Sequence, residues 1–482
     1  MKRPQATETR YTSAMRWLAR SAMVSALSLS LGGLGCSDEA LQSASSSTGA
    51  GGAAGAGGSG GSPAQRPGEA QPLAVPQWMV TEVGASNDPV VGAMIAGTFD
   101  LPPVGEYLGL NWWAVAPGED GKLVDTNYDR LYAAARIQVP DGHHVFARGD
   151  TVISFYTDSL ARHPGDFYHS KKMRVPLAAH GGEHLIVVRA MGKRNTPEVE
   201  LWSTDAEIVF NAADVTKPDL IVGDSSERPF GIAVLNTTGE AIADVSARVV
   251  ESDHFAATEI RFPSLAPDAT TQLSFLLRPK APPAEGVREL SATLRIDSPN
   301  LDWDYEEEVI VPVVQVGARY RHTRRSQVDA STQYHAVVPP VAVEGGKKYG
   351  LFLSLHGAGV EAKGQAASYG HMDWAYVVAA TNRRPFGFDW EEWGRLDAIE
   401  ALDTAIASYP IDTNRVHLTG HSMGGHGTWH NGVHFGHRFG VVAPSAGWIA
   451  FDQYGGGPFP SGVIGRARAA SMTLDFVDNF SN

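Results

Sequence analysis

The hydroxyl of Ser422 lies in LTGHSMGGHGTWH, residues 418–430, with Gly420 two residues before it and Gly424 two after. A serine in G-x-S-x-G spacing between a strand and a helix stands on a sharp turn that lifts its oxygen clear of the main chain, where it can attack a carbonyl carbon. The two glycines are steric necessities. Neighbours without a Cβ let the backbone reverse without collision. The N–H of Met423, which opens the following helix, is the first donor expected to face the oxyanion of a tetrahedral intermediate. The second is expected from LHGAG, residues 355–359, where small residues let main-chain N–H groups approach a developing alkoxide. Ala358 is the expected donor, with Gly357 and Gly359 shaping the loop, and each such donor contributes on the order of 3–4 kcal/mol to the transition state.

Such groups work only if a scaffold brings them together, and the residues from 317 onward read as alternating strands and helices. STQYHAVVPP (331–340) reads as an extended strand, YGLFLSLHG (349–357) as a buried apolar strand ending in a glycine loop, and WAYVVAATN (374–382) as another strand. WGRLDAIEALDTAIASY (393–409) carries Leu396, Ile399, Leu402 and Ile406 at helical spacing, and NRVHLTG (414–420) is a strand leading into the serine turn. VVAPSAGW (441–448) follows as the next. Alternation of this kind predicts a mostly parallel sheet covered by helices.

QYHAVVPP, LFLSLHGAG, TNRRPFGFDWEEWGRLDAIEALD, IDTNRVHLTGHSMGGHGTW and APSAGW occur in an order that resembles the α/β-hydrolase superfamily. Within it they are similar to prolyl oligopeptidase-type peptidases and to secreted esterases of the feruloyl, acetylxylan and polyhydroxybutyrate types. The resemblance implies acyl transfer through an acyl-serine, a histidine general base oriented by an aspartate, and neither cofactor nor metal. The substrate implied is a small-molecule ester, a peptide or a polymer.

In that fold the triad runs Ser, then Asp, then His. Here His421, His426, His430, His434 and His437 all fall in the turn or the helix beyond it, and Asp452, Asp475 and Asp478 are followed by no histidine. The expectation is therefore a domain whose C-terminal part is missing, a chain inactive for want of its Asp and His. A degenerate scaffold serving a cell-surface binding protein is the alternative.

Other features admit a plainer reading beside a chemical one. His426, His430 and His434 share one helical face, as zinc ligands would, but without acidic partners packing is favoured. Glu391, Glu392, Arg395 and Asp397 could meet substrate, and Arg383-Arg384 a carboxylate, yet ion pairs that fix the helix are favoured. Trp390 and Trp393 are read as acyl-pocket lining or core. The paired tryptophans of NWWAV (111–115) suit a core better than a sugar platform.

Outside this region, residues 1–36 combine Lys2, Arg3, Arg10, Arg16 and Arg20 with an apolar run (22–34) and Gly35-Cys36. That resembles a bacterial lipoprotein signal, which implies cleavage, lipidation of Cys36 and a membrane contact through the lipid, with plain secretion as the alternative. Residues 37–75 form a Gly/Ala/Ser-rich linker too poor in apolar side chains to fold. Short alternating runs between turn residues predict a β-sandwich over 76–215 and an immunoglobulin-like one over 216–316. The expected fold class is thus multidomain: two all-β sandwich domains followed by an incomplete α/β-hydrolase domain, 317–482. The 482 residues carry a formal charge of −14, which removes the basic face that a nucleic-acid partner would need, and one cysteine, which rules out an intramolecular disulfide.

Overall fold

The computed structural model describes residues 68–482 except 84–87, 117, 119–122, 124–129, 159–160, 167–169, 192–196, 385–386, 451–453, 455–460 and 482. Cys36, the leader and most of the linker lie outside the described residues.

The first β-rich region differs from the expected two-layered sandwich. Its nine strands form one hydrogen-bonded sheet, because Leu131–Asp150 is long enough to pair with Trp78–Glu82 at one end and Glu198–Thr204 at the other, while Val175–Ala190 runs beside it along most of its length. Alternation along the first long strand sends Leu131, Ala133, Ala135 and Ile137 into one apolar cluster and Tyr132 and Ala134 into another, so both faces of the sheet are covered. Trp112 is fully buried in the second cluster and Trp113 packs against the first. The NWWAV pair therefore builds core.

The second region is a sandwich. A three-stranded sheet (Ile208–Thr216, Arg228–Asn236, Ala269–Leu277) faces a five-stranded one across a single core that includes Phe230, Phe275, Leu294 and Val311. Ile208–Thr216 pairs with Arg228–Asn236, so this module begins ahead of the boundary expected at 216.

The third region holds six strands: β1 (Tyr320–Arg325), β2 (Thr332–Val338), β3 (Tyr349–Leu355), β4 (Ala375–Ala380), β5 (Ile411–His421) and β6 (Val441–Ser445). Their order across the sheet is β1-β2-β4-β3-β5-β6, with β1, β2 and β4 joined antiparallel and β4, β3, β5 and β6 parallel. The central parallel strands β3 and β4 are nearly continuous apolar runs because helices cover both faces. Helix α1 spans Ala362–Ala367, α2 spans Glu392–Ser408 and α3 spans Met423–His434. On one side Leu351, Leu353, Val378 and Leu418 pack with Ala398, Leu402 and Ala405 of α2. On the other, Val377 and Ala379 meet Ala362 and Ala366 of α1. The loops after β3, β4 and β5 leave the sheet at its carboxyl edge, where open α/β sheets bind their ligands.

Candidate active site

Ser422 separates β5 from α3 with φ 58° and ψ −118°. A side chain larger than glycine rarely adopts this conformation, which costs about 1–3 kcal/mol and persists only where surrounding structure enforces it. Three hydrogen bonds do so. The Ser422 N–H donates to the Ser445 carbonyl (3.0 Å), while the Ser422 carbonyl accepts from Gly425 N–H (2.9 Å) and His426 N–H (3.1 Å). The strand that supplies Ser445 runs parallel to β5 in register, pairing Gly420 with Pro444 and His421 with Ser445.

The elbow is packed backbone against backbone. A Cβ at Gly424 would lie 1.9 Å from the Leu355 carbonyl oxygen, and one at Gly420 would lie 2.3 Å from that of Gly424. No side chain fits at either position. The same closeness brings the loop after β3 to Ser422: a Cβ at Gly357 would stand 3.6 Å from Ser422 Cβ. Gly357 is half-buried, and Ala358 and Gly359 are exposed beside it, Gly359 with φ 75°. Met423 is the first residue of α3, where an N–H has no acceptor inside its own helix. Ser422 is itself half-exposed.

Around this core the structure separates the residues singled out by type and spacing. No side chain among the described residues hydrogen-bonds to the Ser422 hydroxyl. His421 is exposed, with Nδ1 3.2 Å from Ser445 Oγ. His426, His430 and His434 do share a face of α3, with ring centroids 6.0 and 4.5 Å apart. His426 stacks on Trp448 and meets Glu391 Oε1 at 3.1 Å through Nε2. His430 is buried, and burial together with His434 and His426 pushes its basicity down to about 2. Among the described residues no group of three or more His, Cys, Asp or Glu is placed to hold a metal ion.

Asp397 of α2 and the arginine pair before it are spent on the protein itself. Asp397 is buried against Arg324 and accepts from both the N–H and the hydroxyl of Thr381, at 3.1 and 3.0 Å. Arg383 pairs with Asp329 and Arg384 with Asp214. Trp390 is fully buried, whereas Trp393 is 45% exposed beside Phe388. Sequence reasoning did not single out His356. Its Nδ1 lies 2.9 Å from the Gly357 carbonyl and its Nε2 2.9 Å from that of Thr381. Burial holds the ring below ordinary histidine basicity, opposed by the two carbonyls. The histidine letter ahead of the Gly-Ala-Gly run was the available signal for it.

No family model matches the chain. Over 358 residues it is 23% identical to an uncharacterized secreted protein of Arthroderma benhamiae, covering 64% of this chain. The chain spans 36% of the length of that curated relative. Among solved structures, it is similar to an S-formylglutathione hydrolase from Staphylococcus aureus (16% identity, 33% of this chain and 72% of that one, TM-score 0.25). It is also similar to a ferulic acid esterase (19% identity, 34% and 69%, TM-score 0.26). A β-glucuronidase of Parabacteroides merdae covers more of this chain (12% identity, 55% and 37%, TM-score 0.29).

Proposed function

We propose that this chain is an exported serine hydrolase that cleaves carboxylic ester or peptide bonds through an acyl-serine at Ser422. The observation that carries the proposal is the strained Ser422 backbone at the carboxyl tip of β5, held against the Gly357 loop. A serine held so serves attack better than it serves packing.

In the proposed reaction Ser422 Oγ bonds to the carbonyl carbon as its proton passes to a base, and the carbonyl oxygen becomes an alkoxide. The N–H groups of Met423 and Ala358 face that alkoxide, and Gly357 and Gly359 let the Ala358 N–H approach. Collapse expels the alcohol or amine, and water then releases the acid and restores the serine. The proton acceptor is not among the described groups around Ser422, which favours as second reading a binding protein on a degenerate hydrolase scaffold.

Fluorophosphonate labelling separates the two. Protein from its native source is expected to label covalently, and Ser422→Ala to abolish the adduct. An unlabelled protein, or one labelled equally in the variant, removes the enzymatic reading. p-Nitrophenyl acyl esters against alanyl and prolyl p-nitroanilides then decide between esterase and peptidase.

Export is supported by the leader-like composition of residues 1–36 and by the word "secreted" in the relative's name. Attachment through Cys36 is part of the proposal. Metabolic incorporation of labelled palmitate that vanishes in Cys36→Ala supports it, and incorporation unchanged in that variant rejects it. No helix among the described residues is long and apolar enough to cross a membrane.

A further inference from the structure

The segment between β4 and α2 is unusual in its backbone. Asn382, Arg383, Asp389, Trp390 and Glu392 all have positive φ, at 54°, 66°, 52°, 66° and 42°. For a residue as bulky as tryptophan this is a genuine outlier, and such outliers persist where the fold holds them for a purpose. What holds Trp390 is visible. Its N–H donates to Asn382 Oδ1 at 3.1 Å, so a side chain just past β4 holds the Trp390 backbone. Its ring is fully buried against α3, where Gly427 leaves room: a Cβ there would lie 2.4 Å from Trp390 Cγ.

The ring's other end reaches the candidate oxyanion loop. Trp390 Nε1–H donates to the His356 carbonyl at 3.0 Å, and the indole meets the His356 imidazole edge to face at 4.9 Å. His356 is the residue immediately before Gly357. One rigid side chain therefore touches the helix that Ser422 opens and the loop that would supply the second oxyanion donor.

We infer that Trp390 is a positioning residue that sets the distance between the 357–359 loop and Ser422. The inference rests on the serine hydrolase reading for its catalytic meaning, although the mechanical link between loop and helix stands without it. A hydrogen bond to the His356 carbonyl fixes the peptide plane from which the next residues project. Without it the loop is free to turn, and its N–H groups lose their aim at the oxyanion.

Trp390→Phe keeps most of the ring and deletes the donor. Two readouts decide the matter on the full chain. In hydrogen exchange, amides 357–360 are expected to exchange at least tenfold faster than in the parent, with those of the remote strand Val175–Ala190 unchanged. In fluorophosphonate labelling, the maximal inactivation rate is expected to fall about tenfold with the reagent's apparent dissociation constant within twofold. That split is the signature of lost transition-state aim, since general loosening would move both.

Exchange at 357–360 equal to the parent overturns the inference, whatever the labelling shows. If the parent does not label at all, the Ser422 reading falls, and the exchange experiment still decides the role of Trp390. Should Trp390→Phe fail to fold, Gly427→Ala tests the same link from the helix side. Its added methyl presses on the indole, and faster exchange at 357–360 supports the link, while exchange unchanged there refutes it.

Discussion

Gly424 and Gly420 mark how little tolerance the elbow has. With a carbonyl oxygen 1.9 Å from where a methyl carbon would sit, Gly424→Ala must part β3 from β5 or shift α3. Overpacking of that kind costs roughly 1–3 kcal/mol, read as a lower urea midpoint at unchanged slope. Ser422→Ala makes no such demand and should leave the unfolding free energy within about 0.5 kcal/mol of the parent's, or raise it slightly. These positions were legible in the sequence, because glycines two residues either side of a serine at a strand end serve a sharp turn and little else. Trp390 was not. Its environment depends on Asn382, Gly427 and His356, three residues with no sequence pattern in common, and the positive φ of a tryptophan leaves no mark in composition.

Strand β1 and helix α2 are tied by a buried ion pair, Arg324 with Asp397, whose side chains are 6% and 0% exposed. Removing one partner strands a charge in the interior. Asp397→Ala should therefore destabilise by about 3–5 kcal/mol, measurable by chemical denaturation, while breaking an exposed pair such as Lys347–Glu344 should leave stability essentially unchanged. Beside Arg324 lie two stacked, buried imidazoles, His322 and His335, 4.9 Å apart. Burial first, and then Arg228 and Arg324, push His322 down to about 3, and burial and His322 drive His335 well below its usual value. The sign follows from these depressed values. The unfolded chain takes up protons at these histidines below about pH 6.5 and the folded chain does not, so stability is full above that pH and declines as it falls. Each histidine contributes a slope of about 1.4 kcal/mol per pH unit below pH 6.5, visible as a falling melting temperature that His322→Asn makes shallower. The sequence announced β2 to β6 by their apolar runs. It did not announce β1, YRHTRR, whose His322 and Arg324 are buried through partners, Tyr409 and Asp397, that only the tertiary structure supplies.

Across the molecule, the α/β region and the sandwich before it share a polar seam. Arg321 pairs with the largely buried Asp219, Ser274 Oγ meets Thr332 Oγ1 at 2.7 Å, and the Thr332 N–H donates to Gln272 at 2.8 Å. The links from the first sheet are more exposed, Lys172 with Glu361 among them. A double-mutant cycle on Asp219 and Arg321 should return a coupling of about 1–3 kcal/mol, and one on Lys172 and Glu361 less than about 1 kcal/mol, weakened by salt. Turn spacing marked residues 76–316 as rich in strands, but the joining of the first nine into one sheet was not legible, since register between long strands is a long-range choice. The seam has a practical meaning for anyone wishing to transplant the α/β region. Thr332 lies fully buried beneath a neighbour's serine, so cleaving the polypeptide at the inter-module joint bares hydroxyl and amide groups that were never shaped for solvent. The sandwich behaves as a bolted plinth, and excision or shuffling should carry it along as a fixed part of the fold.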